Sequence, residues 1–321
     1  MSTRWPRPLI DAGVAIVRDQ AGKVLLAERQ AFQLSPGFWE LPGGKIEDGE
    51  TPAQAAAREL AEEVGLEALA LVPFAVHEHL FATRRIRLHL FLVTAWRGTA
   101  QGREGQRIAW VDPRFPEVGP ILPSNLRVMA VLGLPPVILS TRAGPHAMDA
   151  ALALAPALAA AGRAALLVDE PELAPAPRRM LARRLVGLAR GAGGVVLVRG
   201  DLQAAIQAGA AGVADMPDRL PVPTARAPFL RFATCASAAD VAAAAAAGAD
   251  ALLIDAPTER ALAWLHGLPP CPVFLRDGPT AGMESADGRR LGAWHTLAEV
   301  ASSGTASTVG HASGQRRQAA A

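Results

Sequence analysis

The chain has 321 residues, half of them apolar and 19% charged, and 32 basic side chains nearly cancel 30 acidic ones to leave a formal charge of +2. That balance argues against a surface built for polymeric nucleic acid, which needs Lys and Arg clustered on one face; a single nucleotide stays open. Two cysteines far apart, Cys235 and Cys271, give neither a disulfide framework nor a zinc spacing and fit a reducing cytoplasm.

The length is comfortable for two domains. The N-terminal stretch carries Asp11 and no long apolar core, so no signal peptide is expected. No uncharged apolar run reaches the roughly 20 residues that a membrane span needs.

In chain order, DAGVAIVRD and KVLLAERQ are expected strands joined by a turn at QAG. The loop LPGGKIEDGE at 41–50 follows, and its glycines let backbone approach a ligand or metal closely. A helix is predicted next: Thr51 is its N-cap, Pro52 its first residue, Gln54 completes a capping box, and Gly65 ends it in the left-handed conformation. Ala53, Ala57, Leu60 and Val64 are expected to form its apolar stripe, with Glu59, Glu62 and Glu63 on the opposite flank. RIRLHLFLV alternates, with Ile86, Leu88, Leu90 and Leu92 facing one way and Arg85, Arg87 and His89 the other, as a half-buried strand does. QRIAWVDP is another strand, and SNLRVMAVLG a helix capped by Ser124 or Asn125.

GLPP at 133–136 marks the expected boundary between a unit at 1–133 and one at 134–301; the polar, aperiodic stretch 302–321 reads as a disordered tail. In the second unit VILST, AALLVDE, GVVLVRG, GVADM, FLRFATC, DALLIDA, PVFLRDG and LGAWHT alternate with helical segments. Seven or eight βα units imply a parallel sheet, most economically a closed (β/α)8-like TIM barrel, so the fold class is α/β throughout.

The crowded glutamates carry the chemistry. Like charges at i,i+4 cost an isolated helix about 0.2–0.5 kcal/mol per pair. A hard divalent cation removes that cost, because Mg²⁺ takes oxygen ligands and shares them with substrate phosphates. The alternative is a solvated acidic face. His77 and His79, at i,i+2 on one strand face, could also seat a metal, although outward-facing histidines are the ordinary reading. His89, His146, His266 and His295 stand alone, and Cys235 reads as a small buried hydrophobe.

Gly44, Glu50, Arg58, Glu59, Leu60, Glu62, Glu63, Gly65 and Leu66 match every fixed position of the Nudix box, so the chain resembles the Nudix hydrolases. The resemblance implies an N-terminal α/β/α sandwich with a mixed sheet. It also implies hydrolysis of nucleoside diphosphates linked to another group, with Mg²⁺ or Mn²⁺ as cofactor. It is closest to the MutT-type 8-oxo-dGTP diphosphatases, through ELPGGKIEDGETP, GREGQ at 102–106 and LPSN at 122–125. By that resemblance Gly43, Glu59, Glu62, Glu63 and Glu104 hold metal, and Glu59 or Glu62 takes a proton. Arg58 and Glu50 orient the loop and helix. Arg29, Leu41, Phe81 and Asn125 form the base pocket, Leu41 standing where that branch has a phenylalanine. Asn125 offers an acceptor and donors suited to the O6 and N7–H of 8-oxoguanine. Taken alone, each residue has a plainer reading: Asn125 a helix cap, Phe81 a core aromatic, Arg29 a solvated strand end, Glu104 a loop carboxylate.

The second unit resembles, more diffusely, a thiamine-phosphate synthase/TenI barrel. Arg199 replaces an asparagine of that family, Asp201 remains, APTER replaces its threonine-rich phosphate loop, and only Gly278 survives of a glycine pair. The barrel is therefore expected to be degenerate. The expected function is a cytoplasmic, MutT-like pyrophosphohydrolase acting on a small nucleotide, with no polymeric nucleic acid or membrane partner. The second reading is hydrolysis of another diphosphate, a thiamine-related one among the options, with the barrel as a phosphate-ligand binding module or a residual thiamine-phosphate synthase.

Overall fold

The structure, a computed structural model, describes residues 7–142, 149, 164–190, 194–221, 229–265 and 271–276, and the backbone of strands at 283–284 and 290–296. The expected tail at 302–321, His146, His266 and Gly278 lie outside the described residues.

The N-terminal part is built from β1 (Leu9–Val17), β2 (Val24–Glu28), β3 (Trp39–Glu40), β4 (Gly43–Lys45), α1 (Pro52–Val64), β5 (Glu67–Leu80), β6 (Arg85–Arg97), β7 (Ile108–Val111) and α2 (Pro123–Leu132). One sheet runs β4-β1-β6-β5 and a smaller one β3-β2-β7. β1 and β6 are parallel in a register from Leu9 against Arg85 to Val17 against Val93; the other pairings are antiparallel, so the larger sheet is mixed.

Strand β1 is buried on both faces. Ala15 and Val17 pack with Ala56, Leu60 and Val64 of α1, while Val14 and Ile16 share a core with Val128, Met129 and Val131 of α2. One short strand, β4, falls within the stretch at 41–50 expected to be a continuous loop: Gly43–Lys45 pairs with Ala12–Val14.

Helix α1 has the predicted ends: Thr51 caps it with Gln54 closing the box, and Gly65 ends it at φ 72°. Its apolar stripe is rotated from the expected one. Ala55 and Ala56 are buried with Leu60 and Val64, whereas Ala53 and Ala57 are only partly covered. Helix α2 begins one residue before the expected cap. Pro123 takes the first turn after Leu122, no side chain caps it, and Ser124 and Asn125 are buried within it.

All eight predicted strand segments of the second unit form: β8 (Val137–Ser140), β9 (Ala164–Val168), β10 (Val196–Arg199), β11 (Gly212–Asp215), β12 (Leu230–Cys235), β13 (Ala251–Ile254), β14 (Val273–Arg276) and, after a short β15 (Met283–Glu284), β16 (Arg290–Thr296). They are parallel neighbours in that order, β16 pairing with both β14 and β8, so the sheet curls into a barrel-like ring. Helices α3 (Pro175–Arg190), α4 (Leu202–Ala208), α5 (Ala238–Ala246) and α6 (Thr258–Trp264) lie between strands in sequence.

Side chains alternate as a period of two requires. Ile138, Leu167, Leu197, Phe232, Leu253 and Phe274 point to one shared core, while Leu166, Val198, Leu252 and Leu275 pack among residues of the helices. The interior core is continuous through Leu134 with that of the N-terminal part. No described helix is long and apolar enough to cross a membrane.

Candidate active site

Arg58 organises the acidic helix. Its Nε and Nη2 donate to the two Glu50 oxygens at 2.9 and 3.1 Å, and Nη2 also donates to the Lys45 carbonyl at 3.1 Å. Nη1 donates to Glu59 at 2.9 Å and to Glu62 at 3.1 Å. One guanidinium thus ties the 41–50 segment to α1, and its hydrogen bonds to Glu50 hold that carboxyl below the usual carboxylate range. These same bonds raise the Arg58 pKa, so it stays charged.

The three glutamates differ in environment. Glu62 is exposed, while Glu59 and Glu63, one turn apart, are partly sheltered. Burial raises the Glu59 pKa against the pull of Arg58, and Glu62 and Glu104 push the same way. Glu63 is pushed up to about 8 by burial and then by Glu40 and Glu59, although it accepts the Gly43 N–H at 3.2 Å. Glu104 stands on an exposed loop whose N–H donates to Gln106 at 2.9 Å, close enough for its charge to raise both neighbours. A Cβ at Gly44 would come within 2.0 Å of Glu59 Oε1, so a side chain there would displace the Glu59 carboxylate.

A cleft of about 360 Å³ opens above this face. Arg29, Leu41, Gly43, Glu59, Glu63, Phe81 and Asn125 all line it; Glu50, Arg58, Glu62 and Glu104 do not. Asn125 is 4% exposed. Its Oδ1 accepts the Leu41 N–H at 2.9 Å and its Nδ2 donates to Ser124 Oγ at 3.3 Å, so one amide hydrogen and one lone pair remain for a ligand. Asn125 is therefore no helix cap. Phe81 packs edge-on to His79 at 4.5 Å, with Arg84 5.1 Å over its ring. Arg29 pairs with Glu40 inside the cleft rather than standing free at a strand end.

Two cleft residues escaped the sequence reading. Glu40 follows the buried Trp39 on β3, and the alternation of a strand turns it outward into the cleft; burial raises its pKa and Arg29 opposes this. Arg84, three residues beyond Phe81, was signalled only by that spacing. His77 and His79 are not outward-facing as expected. His77 is half-buried, its Nε2 is buried with no hydrogen-bond partner among the described residues, and desolvation pushes its pKa down to about 3.

Among the described residues no three His, Cys, Asp or Glu side chains converge as a ready cation cage. Arg58 draws Glu59 and Glu62 aside, and Glu63 turns to the Gly43 amide. The donor set nevertheless fits a hard dication: it offers only oxygen ligands, and burial, reinforced by repulsion from Glu40 and Glu59, pushes the Glu63 pKa up to about 8, a cost that a bound cation would relieve.

An acidic helix under a glycine segment, opening on a cleft with both charged and apolar walls, suits an enzyme that handles phosphates through cations. A family model described as NUDIX domain matches residues 8–125. The chain is 37% identical over 116 residues to the CTP pyrophosphohydrolase of Escherichia coli (strain K12), covering 36% of this chain and 86% of that protein. It is 34% identical over 123 residues to the 8-oxo-dGTP diphosphatase of Haemophilus influenzae, covering 38% and 90%. It is 37% identical over 123 residues to the 8-oxo-dGTP diphosphatase of Escherichia coli (strain K12), covering 38% and 95%. The chain belongs to the Nudix family of hydrolases.

Proposed function

We propose that the chain hydrolyses nucleoside triphosphates to the monophosphate and pyrophosphate, with 8-oxo-dGTP as the favoured substrate and sanitising of a cytoplasmic nucleotide pool as its role. The observation that carries this reading is that one cleft is lined by Asn125 and Phe81 as well as by Glu59 and Glu63. The base stacks on Phe81, and the free amide hydrogen and lone pair of Asn125 meet its Hoogsteen edge. Arg29, fixed by Glu40, and Arg84 flank the same space.

Gly43, Glu59, Glu62, Glu63 and Glu104 are the residues that would hold Mg²⁺ or Mn²⁺. When bound, the cation would polarise phosphoryl oxygens and offset the charge of the leaving group. Water attacks the β-phosphorus, the bond from that phosphorus to the α-bridging oxygen breaks, and the monophosphate leaves. Of the two proton acceptors named from the sequence, Glu59 is better placed than Glu62, because it lines the cleft whereas Glu62 is exposed outside it. Arg58 and Glu50 position rather than react.

A cytosine nucleotide is the second reading, favoured by the CTP pyrophosphohydrolase relative and by the engagement of Asn125 Oδ1 with Leu41. A pyrophosphate-release panel over 8-oxo-dGTP, dGTP, CTP and thiamine diphosphate with magnesium tests both. The highest kcat/KM on 8-oxo-dGTP is expected; equal turnover of dGTP would sink the purine assignment.

We also propose a division at 133/134 into a hydrolase unit and a degenerate (β/α)8 barrel of the thiamine-phosphate synthase/TenI kind. The parallel ring of strands supports the barrel. Its degeneracy is supported by Arg199, which pairs with Asp169 at 2.9 Å, and by Asp201, which caps α4 through the Ala204 N–H at 2.8 Å.

A further inference from the structure

A cavity of about 370 Å³ lies where β5 and α2 of the hydrolase part meet the turn between α5 and β13. Its charge is unbalanced. Asp250 gives one oxygen to Arg127 as an ion pair and accepts the backbone N–H of Arg231 on the other at 2.7 Å. Among the described residues the Arg231 guanidinium is held only by carbonyls, those of Pro221 at 3.3 Å, Ala247 at 3.1 Å and Gly248. Carbonyls satisfy N–H groups but supply no net negative charge, so two guanidiniums share one carboxylate.

Glu78 also borders the cavity, but Arg87 takes it at 2.8 Å on the surface. His77 supplies no charge, because burial, with Arg127 and Arg231 adding repulsion, keeps it neutral. The hydrogen bonding is equally incomplete. Among the described residues, Arg127 Nη2 and Arg231 Nε are buried without a hydrogen-bond partner, while Arg127 Nε meets Asp250 as an ion pair. A buried cation short of partners is costly, and a carboxylate meeting a guanidinium fork is the usual remedy. Arg127 keeps 13% of its side chain open.

We propose that this cavity is a second binding site, taking a small monocarboxylate with an apolar body. One surplus positive charge selects a monoanion over a phosphate dianion. Phe74, Leu90 and Val131 on the walls select an apolar body. The carboxylate lies against Arg127, which turns its unpartnered Nη2 onto it.

Isothermal titration of the full chain with sodium benzoate, against sodium chloride at equal ionic strength, tests the site. Saturable binding with Kd below about 1 mM is expected. Arg127→Gln should weaken it at least about tenfold. Ala246→Phe, at an exposed position on the rim, should block it without touching either arginine; if Arg127→Gln does not fold, this variant decides. Absence of saturation overturns the proposal, as does benzoate binding that a folded variant leaves unchanged. Saturation by inorganic phosphate with benzoate silent overturns the carboxylate assignment.

Discussion

Glu63 concentrates the cost of the site in one side chain. In the metal-free protein burial, Glu40 and Glu59 push its carboxyl from 4.5 up to about 8. The folded chain therefore holds this proton more tightly than the unfolded chain does. The associated stability is complete below about pH 4.5 and is lost as the pH rises through about 8. Melting temperatures of chelator-treated protein should fall across that window, and Glu63→Gln, which cannot ionise, should flatten the fall. Parallel curves for the two proteins would show that Glu63 is not the group. Asn125 makes a different prediction. Asn125→Ala removes a reading group worth about 1–3 kcal/mol, so the preference for 8-oxo-dGTP over dGTP should drop by about tenfold or more, read as the ratio of kcat/KM values. An unchanged ratio would remove Asn125 from base recognition.

At the scale of elements, α1 was legible at both ends but not in its rotation. Thr51, Gln54 and Gly65 are specific signals. Alanines at 53, 55, 56, 57 and 61 surround the helix on nearly every side and leave the apolar stripe without a fixed phase. Leu60 and Val64 set it, and Glu59, about 100° from Leu60, and Glu63, about 100° from Val64, are drawn to its border while Glu62 stays in solvent. Helix α2 misled in another way. Pro123 suits a first helical position without a side-chain cap, and the Leu41 amide claims the Asn125 oxygen. The strands at Trp39–Glu40 and Gly43–Lys45 are too short and too glycine-rich to show a period. Arg58 joins that glycine segment to α1 through a fork only a planar guanidinium makes. Arg58→Lys keeps the charge and loses the fork. Its kcat should fall by at least about tenfold with KM little changed, since positioning is lost rather than substrate contact. A rise in KM alone would place Arg58 in binding.

Across the whole molecule the eight barrel strands were legible because each is a short continuous apolar run between turn signals. The relation of the two parts was not, since no local pattern reports a shared core. Ile138, Phe232 and Phe274 inside the barrel belong to one cluster with Val128 and Val131 of α2 and with Val14 and Ile16 of β1. Leu134, in the GLPP stretch read as a boundary, is itself 2% exposed within that cluster. A linker between independent domains has little to bury, whereas this one is core, so neither part can unfold without exposing apolar surface on the other. Loss of hydrolase activity, which reports the cleft, and loss of far-UV ellipticity, which includes the barrel, should therefore coincide in one thermal transition. Val131→Asp, placing a charge where the parts meet, should move both signals to lower temperature together. If the activity transition separates from the ellipticity transition, in the parent or in this variant, the shared core does not couple them and the parts fold alone.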